Sequence, residues 1–179
     1  MNTPFTLAVP VNGSDHALGP AAARAVLVEY GDFECPDCAQ AHHAVDMLLR
    51  HFGSDLRLVY RHYPLREVHP NAELAAEAAE AAAGQSRFWD MHRLLFEHQL
   101  HLKPHALRDY ALRIELDLER YDAEMRDHMY LQRVQEHIAG AQKSGVRGTP
   151  TFFLNGKLVD VSGGRLERLR DAIERALKG

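Results

Sequence analysis

The chain has two cysteines, Cys35 and Cys38, which lie two residues apart at the start of a helical pattern. An apolar run precedes them and predicts a buried strand at 26–30, and a second apolar run predicts the next strand at 56–60. Strand, helix and strand form a βαβ unit, whose crossover we expect to be right-handed. Because a thiol pair at this spacing can close a small disulfide, redox exchange is the first functional hypothesis.

The local sequence predicts different tasks for the two thiols. Pro36 is typical of the first residue of a helix, which makes Cys35 its N-cap. Free backbone N–H groups and the positive end of the helix dipole favour a thiolate there, so we expect Cys35 to be the attacking nucleophile. Cys38 falls on the helix side that continues inward through apolar residues, so we expect it to be the less exposed, resolving thiol. Gly53 fits the position just past the end of this helix.

Asp37 is an anion in the first turn of the same helix and competes with the Cys35 thiolate for its positive end. At ~7 Å, one unit charge acts on another with roughly 0.6 kcal/mol in water and about 2.4 kcal/mol at an effective dielectric of 20. Asp37 is therefore expected to raise the pKa of the Cys35 thiol by about half a unit to nearly two units. A destabilised thiolate favours the disulfide, so we expect a less oxidising pair than a neutral or basic residue at position 37 would produce.

Length and charge exclude several classes of function. At 179 residues the chain can bury one core but is short for two full domains, so we expect a single domain over 1–179. A formal charge of −4 argues against a basic surface that would bind nucleic acid. No apolar run is long enough for insertion into a membrane. The first ten residues lack a basic start and are interrupted by proline, unlike a signal peptide, which predicts a cytoplasmic location. In a reducing cytosol a disulfide is more often catalytic or sensing than structural.

The residue pattern changes twice along the chain. The first part, about 20–69, holds the βαβ unit, and about 70–145 is predicted to be an inserted helical subdomain. The last part, about 146–179, returns to strand signals and ends in an amphipathic helix. Its two strands are predicted at 151–154 and 157–161, joined by a hairpin turn at Asn155-Gly156.

The insert is predicted to consist of several helices. An alanine-rich helix extends from 72 to 83, ends at Gly84 and has an acidic face formed by Glu73, Glu77 and Glu80. Further helix starts are predicted at Ser86, Pro104 and Asp117. Four histidines straddle Pro104 and form no continuous helical face, so we expect most of them at the surface or the edge of the core. They are His92, His98, His101 and His105.

Two separated motifs, the cysteine pair and Gly148-Thr149-Pro150-Thr151, make the chain resemble the DsbA-like family of thioredoxin-fold disulfide oxidoreductases. The resemblance covers nearly the whole chain. The segments that carry it are LVEYGDFECP at 27–36, YRHYPL at 60–65, HPNA at 69–72, FWDMH at 88–92 and SGVRGTPTFF at 144–153. It implies an α/β thioredoxin fold, βαβ followed by ββα, with a large helical insertion.

The resemblance also implies the chemistry. Thr149 and Pro150 match a cis-proline loop that lies against the cysteine pair and offers backbone groups to a substrate chain. Glu29, six residues before the first cysteine, matches a buried acid that would move a proton to or from Cys38, the structural alternative being a salt bridge. The implied activity is disulfide exchange with protein or peptide thiols, completed by a redox-recycling partner, without a bound cofactor or metal. Asp37 departs from the family pattern, in which an aromatic residue or histidine is more usual, and favours reductase or isomerase work.

Two other functions remain open on the sequence. Cys35, Cys38 and His42 fall at i, i+3 and i+7 on one helical side and would supply three of the four ligands of a zinc site, although no further motif supplies the fourth. The resemblance extends to kappa-class glutathione transferases, whose glutathione-dependent transfer or isomerisation does not need a resolving cysteine. The presence of both Cys35 and Cys38 favours disulfide exchange, and a glutathione conjugation assay separates the two functions.

Overall fold

The computed structural model describes residues 5–179, which form five strands and seven α-helices. Residues 1–4 lie outside this range; they belong to the first ten residues, whose sequence is unlike a signal peptide. The strands are β1 (His16–Leu18), β2 (Ala25–Gly31), β3 (Leu56–His62), β4 (Thr151–Leu154) and β5 (Lys157–Val159). The helices are α1 (Pro36–Phe52), α2 (Ala72–Ala83), α3 (Phe88–Glu97), α4 (Pro104–Arg113), α5 (Leu118–Arg126), α6 (Leu131–Lys143) and α7 (Glu167–Lys178). None of these helices combines the length and the apolar character that crossing a membrane requires.

All five strands join one mixed sheet in the order β1-β3-β2-β4-β5. β2 and β3 run parallel and are connected through α1, whereas the other neighbouring pairs are antiparallel. β4 and β5 form the hairpin predicted at Asn155-Gly156, with Leu154 opposite Lys157. Helices α2 to α6 lie between β3 and β4 in the chain. The mixed α/β thioredoxin fold that the resemblance implies is thereby confirmed, while the assignment of the whole chain to one domain stays a prediction.

Two strands differ from the sequence prediction. β1 was not predicted at all: it pairs antiparallel with β3 at the edge of the sheet. Its three residues, His-Ala-Leu, are too few to show an alternating pattern, so only the pairing with β3 defines it as a strand. β5 ends at Val159 rather than at 161, because a short 3₁₀ turn, Ser162–Gly164, follows it closely. Gly163 and Gly164 adopt left-handed backbone in this turn, with φ of 72° and 74°.

β2 and β3 are buried on both faces, which explains their nearly continuous apolar sequences. Leu27 and Leu58 face a core that includes residues of α1 and α7, whereas Val28 and Val59 belong to a second core with Ala141 of α6. A third cluster joins the cysteine end of α1 to the inserted helices. Its members include Cys35, Cys38, Phe33, Tyr60, Met91 and Leu95. The thiols therefore lie where the sheet meets the insertion.

Two of the three glutamates predicted to form an acidic face of α2 are buried, so the prediction is wrong for them. Glu77 and Glu80 are each only 2% exposed, because α2 packs against several of the other inserted helices. Glu80 Oε1 lies 2.8 Å from Nε2 of both His16 and His62, and its Oε2 lies 2.7 Å from Nε of Arg133. What the helical spacing predicts as an acidic face is thus partly an internal ion-pair cluster.

Helix starts in the insert follow the sequence at two of the three predicted positions. Pro104 is the first residue of α4, and the Asp117 side chain accepts a hydrogen bond from the backbone N–H of Arg120 (3.0 Å) at the start of α5. Ser86 does not cap α3, since Arg87 occupies the N-cap and Ser86 adopts a left-handed backbone with φ of 61°.

Candidate active site

The cysteine pair lies where β2 passes into α1. Cys35 occupies the N-cap of the helix and Pro36 its first position, and Gly53 follows its last residue, as the sequence predicts. Both cysteines are free thiols. Cys35 retains 5% of its surface and Cys38 retains none, which confirms that Cys38 is the less exposed thiol. Cys35 is therefore the thiol of the pair that retains some surface open to another molecule.

The two thiols differ strongly in acidity. A hydrogen bond from the Cys38 thiol is the main cause that lowers the pKa of Cys35 to about 6. The Thr149 side chain and backbone N–H groups at the helix start lower it further, while burial opposes them. Burial is the main cause that raises the pKa of Cys38 well above its ordinary value, and its hydrogen bond to Cys35 adds to this effect. This separation suits an attacking thiolate next to a thiol that keeps its proton.

Asp37 acts on Cys35 in two opposed ways. Its backbone N–H lowers the pKa of the Cys35 thiol, while its exposed carboxylate places a negative charge in the same turn of α1. Because the pKa of Cys35 is low, the donors at the helix start outweigh the expected opposition. The size of the carboxylate effect stays a prediction, which the redox potential of an Asp37 variant measures.

The segment before β4 completes the site from the other side. The peptide bond between Thr149 and Pro150 is cis, and Thr151, the next residue, lies opposite Tyr30 of β2. This pairing brings the segment next to the cysteine end of β2. The Cys35 thiol donates a hydrogen bond to the Thr149 carbonyl oxygen (3.5 Å). The Thr149 hydroxyl is buried and has no hydrogen-bond partner within residues 5–179, so it is free to donate to the Cys35 thiolate.

Glu29 of β2 is a buried acid near the cysteine pair. It is 2% exposed, and its Oε1 atom has no hydrogen-bond partner in the described part of the chain. Burial, followed by the charge of Cys35, raises the pKa of Glu29 to about 8. Its negative charge in turn helps to raise the pKa of Cys38. A carboxyl group with such a pKa can both give and take a proton near neutral pH.

Side chains that the sequence did not single out hold the loop before Cys35. Asp32 is buried, accepts a hydrogen bond from the backbone N–H of Leu65 (2.8 Å) and lies 2.7 Å from Nδ1 of His69. Gln99, just after α3, donates to the backbone carbonyl oxygen of Cys35 (2.7 Å). The N-cap of α1 is thus supported from two sides. Asp32 and His69 lie in segments that carry the family resemblance, which was the only signal for them.

The zinc site considered for Cys35, Cys38 and His42 does not form. Within residues 5–179, the one group of histidine, cysteine and carboxylate side chains with metal-ligand spacing lies elsewhere. The ring of His42 stacks on Phe96, with ring centroids 5.1 Å apart and an interplanar angle of 20°. The zinc interpretation is therefore wrong, because the helical spacing of the three residues does not bring their ligand atoms together.

The group that has metal-ligand spacing consists of His16, His62 and Glu80. Burial opposes ionisation of Glu80, but the hydrogen bonds with both histidines outweigh it and lower the pKa of this carboxyl. Arg133 pairs with the second carboxylate oxygen. A metal-bound histidine normally donates its other ring nitrogen to an acceptor, whereas Nδ1 of His62 is buried without a partner in the described residues. These contacts suit a hydrogen-bonded cluster that joins β1, β3, α2 and α6.

A groove of about 390 Å³ opens beside the cis-proline segment. Residues 147–151 and 158–164 line it, together with Asp37 and Gln40 of α1. Thr149, which accepts the hydrogen bond from Cys35, is one of the lining residues. The groove therefore begins next to the more accessible thiol.

A protein-family model described as Thioredoxin matches residues 11–175. The Na(+)/H(+) antiporter NhaA 1 of Salinispora arenicola is 51% identical over 152 residues, which are 84% of this chain and 23% of that protein. The Na(+)/H(+) antiporter NhaA of Herminiimonas arsenicoxydans is 43% identical over 155 residues, which are 86% of this chain and 24% of that protein. The chain thus spans about a quarter of the length of the curated relatives it matches. Their names describe the longer proteins.

Solved structures share the fold over nearly the whole chain. BdbD from Bacillus subtilis in its oxidised form has a TM-score of 0.87 at 23% identity, covering 99% of this chain and 100% of that one. A thioredoxin-like oxidoreductase from Silicibacter pomeroyi has a TM-score of 0.77 at 29% identity, covering 94% and 95%. Alpha-DsbA1 from Wolbachia pipientis has a TM-score of 0.76 at 18% identity, covering 94% and 92%.

Proposed function

The chain belongs to the thioredoxin family and shares its fold with DsbA-like structures, and from that premise we propose that it exchanges disulfides with protein or peptide substrates through Cys35 and Cys38. One observation carries this proposal. A thiol that keeps 5% of its surface exposed and whose pKa is lowered to about 6 lies beside a fully buried thiol whose pKa is raised. At neutral pH the first is a thiolate and the second keeps its proton, which a two-step exchange requires.

In the reductive direction, the Cys35 thiolate attacks one sulfur of a substrate disulfide. A bond forms between Cys35 Sγ and that sulfur, the substrate disulfide breaks, and the other substrate sulfur leaves as a thiolate. The hydrogen bond from the Cys38 thiol, helped by the backbone N–H groups at the start of α1, keeps Cys35 ionised before the attack. The product of this step is a mixed disulfide between protein and substrate.

Cys38 resolves the mixed disulfide. Glu29 takes the proton of the Cys38 thiol when it is ionised, which its pKa of about 8 allows for a minor fraction at neutral pH. The new thiolate attacks Cys35 Sγ, and the second substrate sulfur leaves as a thiolate. The dithiol of the protein is thereby oxidised to a Cys35–Cys38 disulfide, and the substrate disulfide is reduced to two thiols. The reverse sequence oxidises a substrate dithiol with the same residues. No bound cofactor is required, but a recycling partner with its own dithiol or disulfide must restore the starting form.

Thr149 and Pro150 position the substrate in this proposal. The groove of about 390 Å³ starts at Thr149 and offers a path for an extended chain. A substrate segment in the groove would hold its disulfide within reach of Cys35. The Thr149 carbonyl, which accepts from the Cys35 thiol in the free protein, is then available to a backbone N–H of the substrate.

The acidity of Cys35 favours reductase or isomerase activity. A pKa of about 6 lies closer to the value of about 7 in thioredoxin than to about 3.5 in the strong oxidant DsbA. The carboxylate of Asp37 acts in the same direction, since it disfavours the reduced thiolate. The cytoplasmic location that the N-terminal sequence predicts stays a prediction, which cell fractionation tests.

Trapping of the mixed disulfide tests the two roles. Cys38→Ala should accumulate a covalent complex with a disulfide-bonded peptide, seen as a mass increase that dithiothreitol removes, whereas Cys35→Ala should form none. Equal trapping by both variants, or by neither, contradicts the assignment. The transferase alternative is tested by glutathione conjugation to an electrophile, and conjugation that persists in Cys38→Ala would favour it.

A further inference from the structure

A cavity of about 190 Å³ lies between α1, α3 and the sheet. Its lining includes the buried Glu29, the half-buried Asp46 and the exposed Arg93, so it connects the interior with the surface. His42 and His92 also line it, with ring centroids 5.3 Å apart. Three of the four histidines around Pro104 are half-buried or exposed, as expected for most of them, but His92 is only 4% exposed, because its side of α3 faces the cluster around the thiols.

Two residues that line the cavity carry a buried polar atom without a hydrogen-bond partner within residues 5–179: Glu29 Oε1 and His92 Nε2. The buried hydroxyl of Tyr60, which does not line the cavity, has no partner there either. Tyr60 is the neighbour of Glu29 on β3, and its ring lies 4.6 Å from that of His92 at an angle of 85°. An unsatisfied buried polar group costs about 1–3 kcal/mol, so native structures normally place water at such a site. One ordered water needs only about 10–15 Å³, and the cavity exceeds this several times.

We propose that this cavity carries protons between Glu29 and bulk water during disulfide exchange, with His92 as the relay residue. The proposal rests on the proposed function, because it supplies a path for the proton that Glu29 takes from Cys38. A substrate bound to Cys35 covers the active-site face, and Cys38 has no exposed surface. The cavity opens at Asp46 and Arg93 instead, on α1 and α3, so substrate in the cis-proline groove does not close it.

Every proton on this path can be followed from Cys38 to bulk water. After Cys38 has given its proton to Glu29 and attacked Cys35, Glu29 holds one extra proton, which passes to cavity water and then to one ring nitrogen of His92. The other ring nitrogen releases a proton outward, and a change of tautomer restores the ring. Burial lowers the pKa of His92 well below its ordinary value, which keeps the imidazole neutral between transfers. The cavity is also lined by His42, Asp46 and Arg93, Cys35 and Tyr60 lie near Glu29, and His16 and His62 act on His92 by their charge.

Two substitutions at His92 test the path. His92→Ala removes the relay and leaves room for a free imidazole, whereas His92→Phe removes it and keeps an aromatic ring among the surrounding aromatic side chains. Stopped-flow mixing of the reduced protein with a disulfide peptide separates formation of the mixed disulfide from its resolution. His105→Ala, at an exposed histidine of α4, is the matched control.

We expect both His92 variants to form the mixed disulfide at the wild-type rate and to resolve it at least about tenfold more slowly, as loss of a proton-transfer group predicts. Added imidazole should restore resolution in His92→Ala but not in His92→Phe, and should leave His105→Ala unchanged. Wild-type resolution in a folded His92 variant, or a loss in His92→Ala that imidazole does not restore, overturns the relay. If the wild-type protein itself exchanges no disulfide, the proposed function fails, and the relay fails with it.

Discussion

The hydroxyl of Thr149 offers a test of how the acidity of Cys35 arises. It is buried, has no other partner in the described chain and lowers the pKa of the Cys35 thiol. Thr149→Val replaces this hydroxyl with a methyl group of nearly the same shape. A hydrogen bond to a charged group contributes about 1.5–3 kcal/mol, and about 1.36 kcal/mol corresponds to one pKa unit. We therefore expect the pKa of Cys35 to rise from about 6 by about one to two units.

Alkylation of Cys35 by iodoacetamide across pH measures this shift, because only the thiolate reacts and Cys38 is buried. Near pH 6 the wild-type thiol is about half ionised, whereas a thiol with a pKa of about 7 is roughly one-tenth ionised, so the rate should fall about fivefold or more. Well above both pKa values the two rates should converge. Thr149→Ser keeps the hydroxyl and should alkylate like wild type. An unchanged midpoint in Thr149→Val would refute the hydroxyl as a donor to the thiolate.

Three further substitutions have defined outcomes. Burial raises the pKa of Glu29 from 4.5 to about 8, so the folded state binds more protons than the unfolded state between these two values. The free energy of unfolding in urea should therefore fall as the pH rises through this window, and Glu29→Gln should abolish the fall. Asp37→Asn should raise the redox potential by about 10–20 mV in glutathione buffers, since roughly 0.6 kcal/mol of repulsion disappears. Glu80→Ala removes the carboxylate that pairs with Arg133 and two histidines and should lower the free energy of unfolding by about 3–5 kcal/mol at neutral pH. This loss should shrink as the pH falls through the depressed pKa of Glu80, and a pH-independent loss would contradict the ion-pair account.

The parts of the fold that the sequence predicts well are those with local signals. Apolar runs define β2 and β3, Pro36 and Gly53 delimit α1, and Asn155-Gly156 marks the hairpin. The N-cap position of Cys35 follows from Pro36 alone, so the cysteine chemistry needs little tertiary information.

Other parts depend on contacts between segments distant in the chain. The alanine-rich pattern of α2 does not say which of its faces meets other helices, so the burial of Glu80 and its partner His16 was not predicted. The same is true of His92, whose side of α3 packs inward. The cis bond at Thr149-Pro150 was implied only by the family resemblance, since only about 5–6% of X–Pro bonds in folded proteins are cis.

The redox equilibrium of Cys35 and Cys38 tests the central claim most directly. Metal-free protein is equilibrated in graded glutathione buffers, quenched, alkylated and weighed by mass spectrometry. The account predicts that both thiols are lost together in one reversible two-electron transition, with a midpoint near or below the glutathione poise of the cytosol. Two thiols that remain alkylatable in every buffer, or that become oxidised independently of each other, would contradict it.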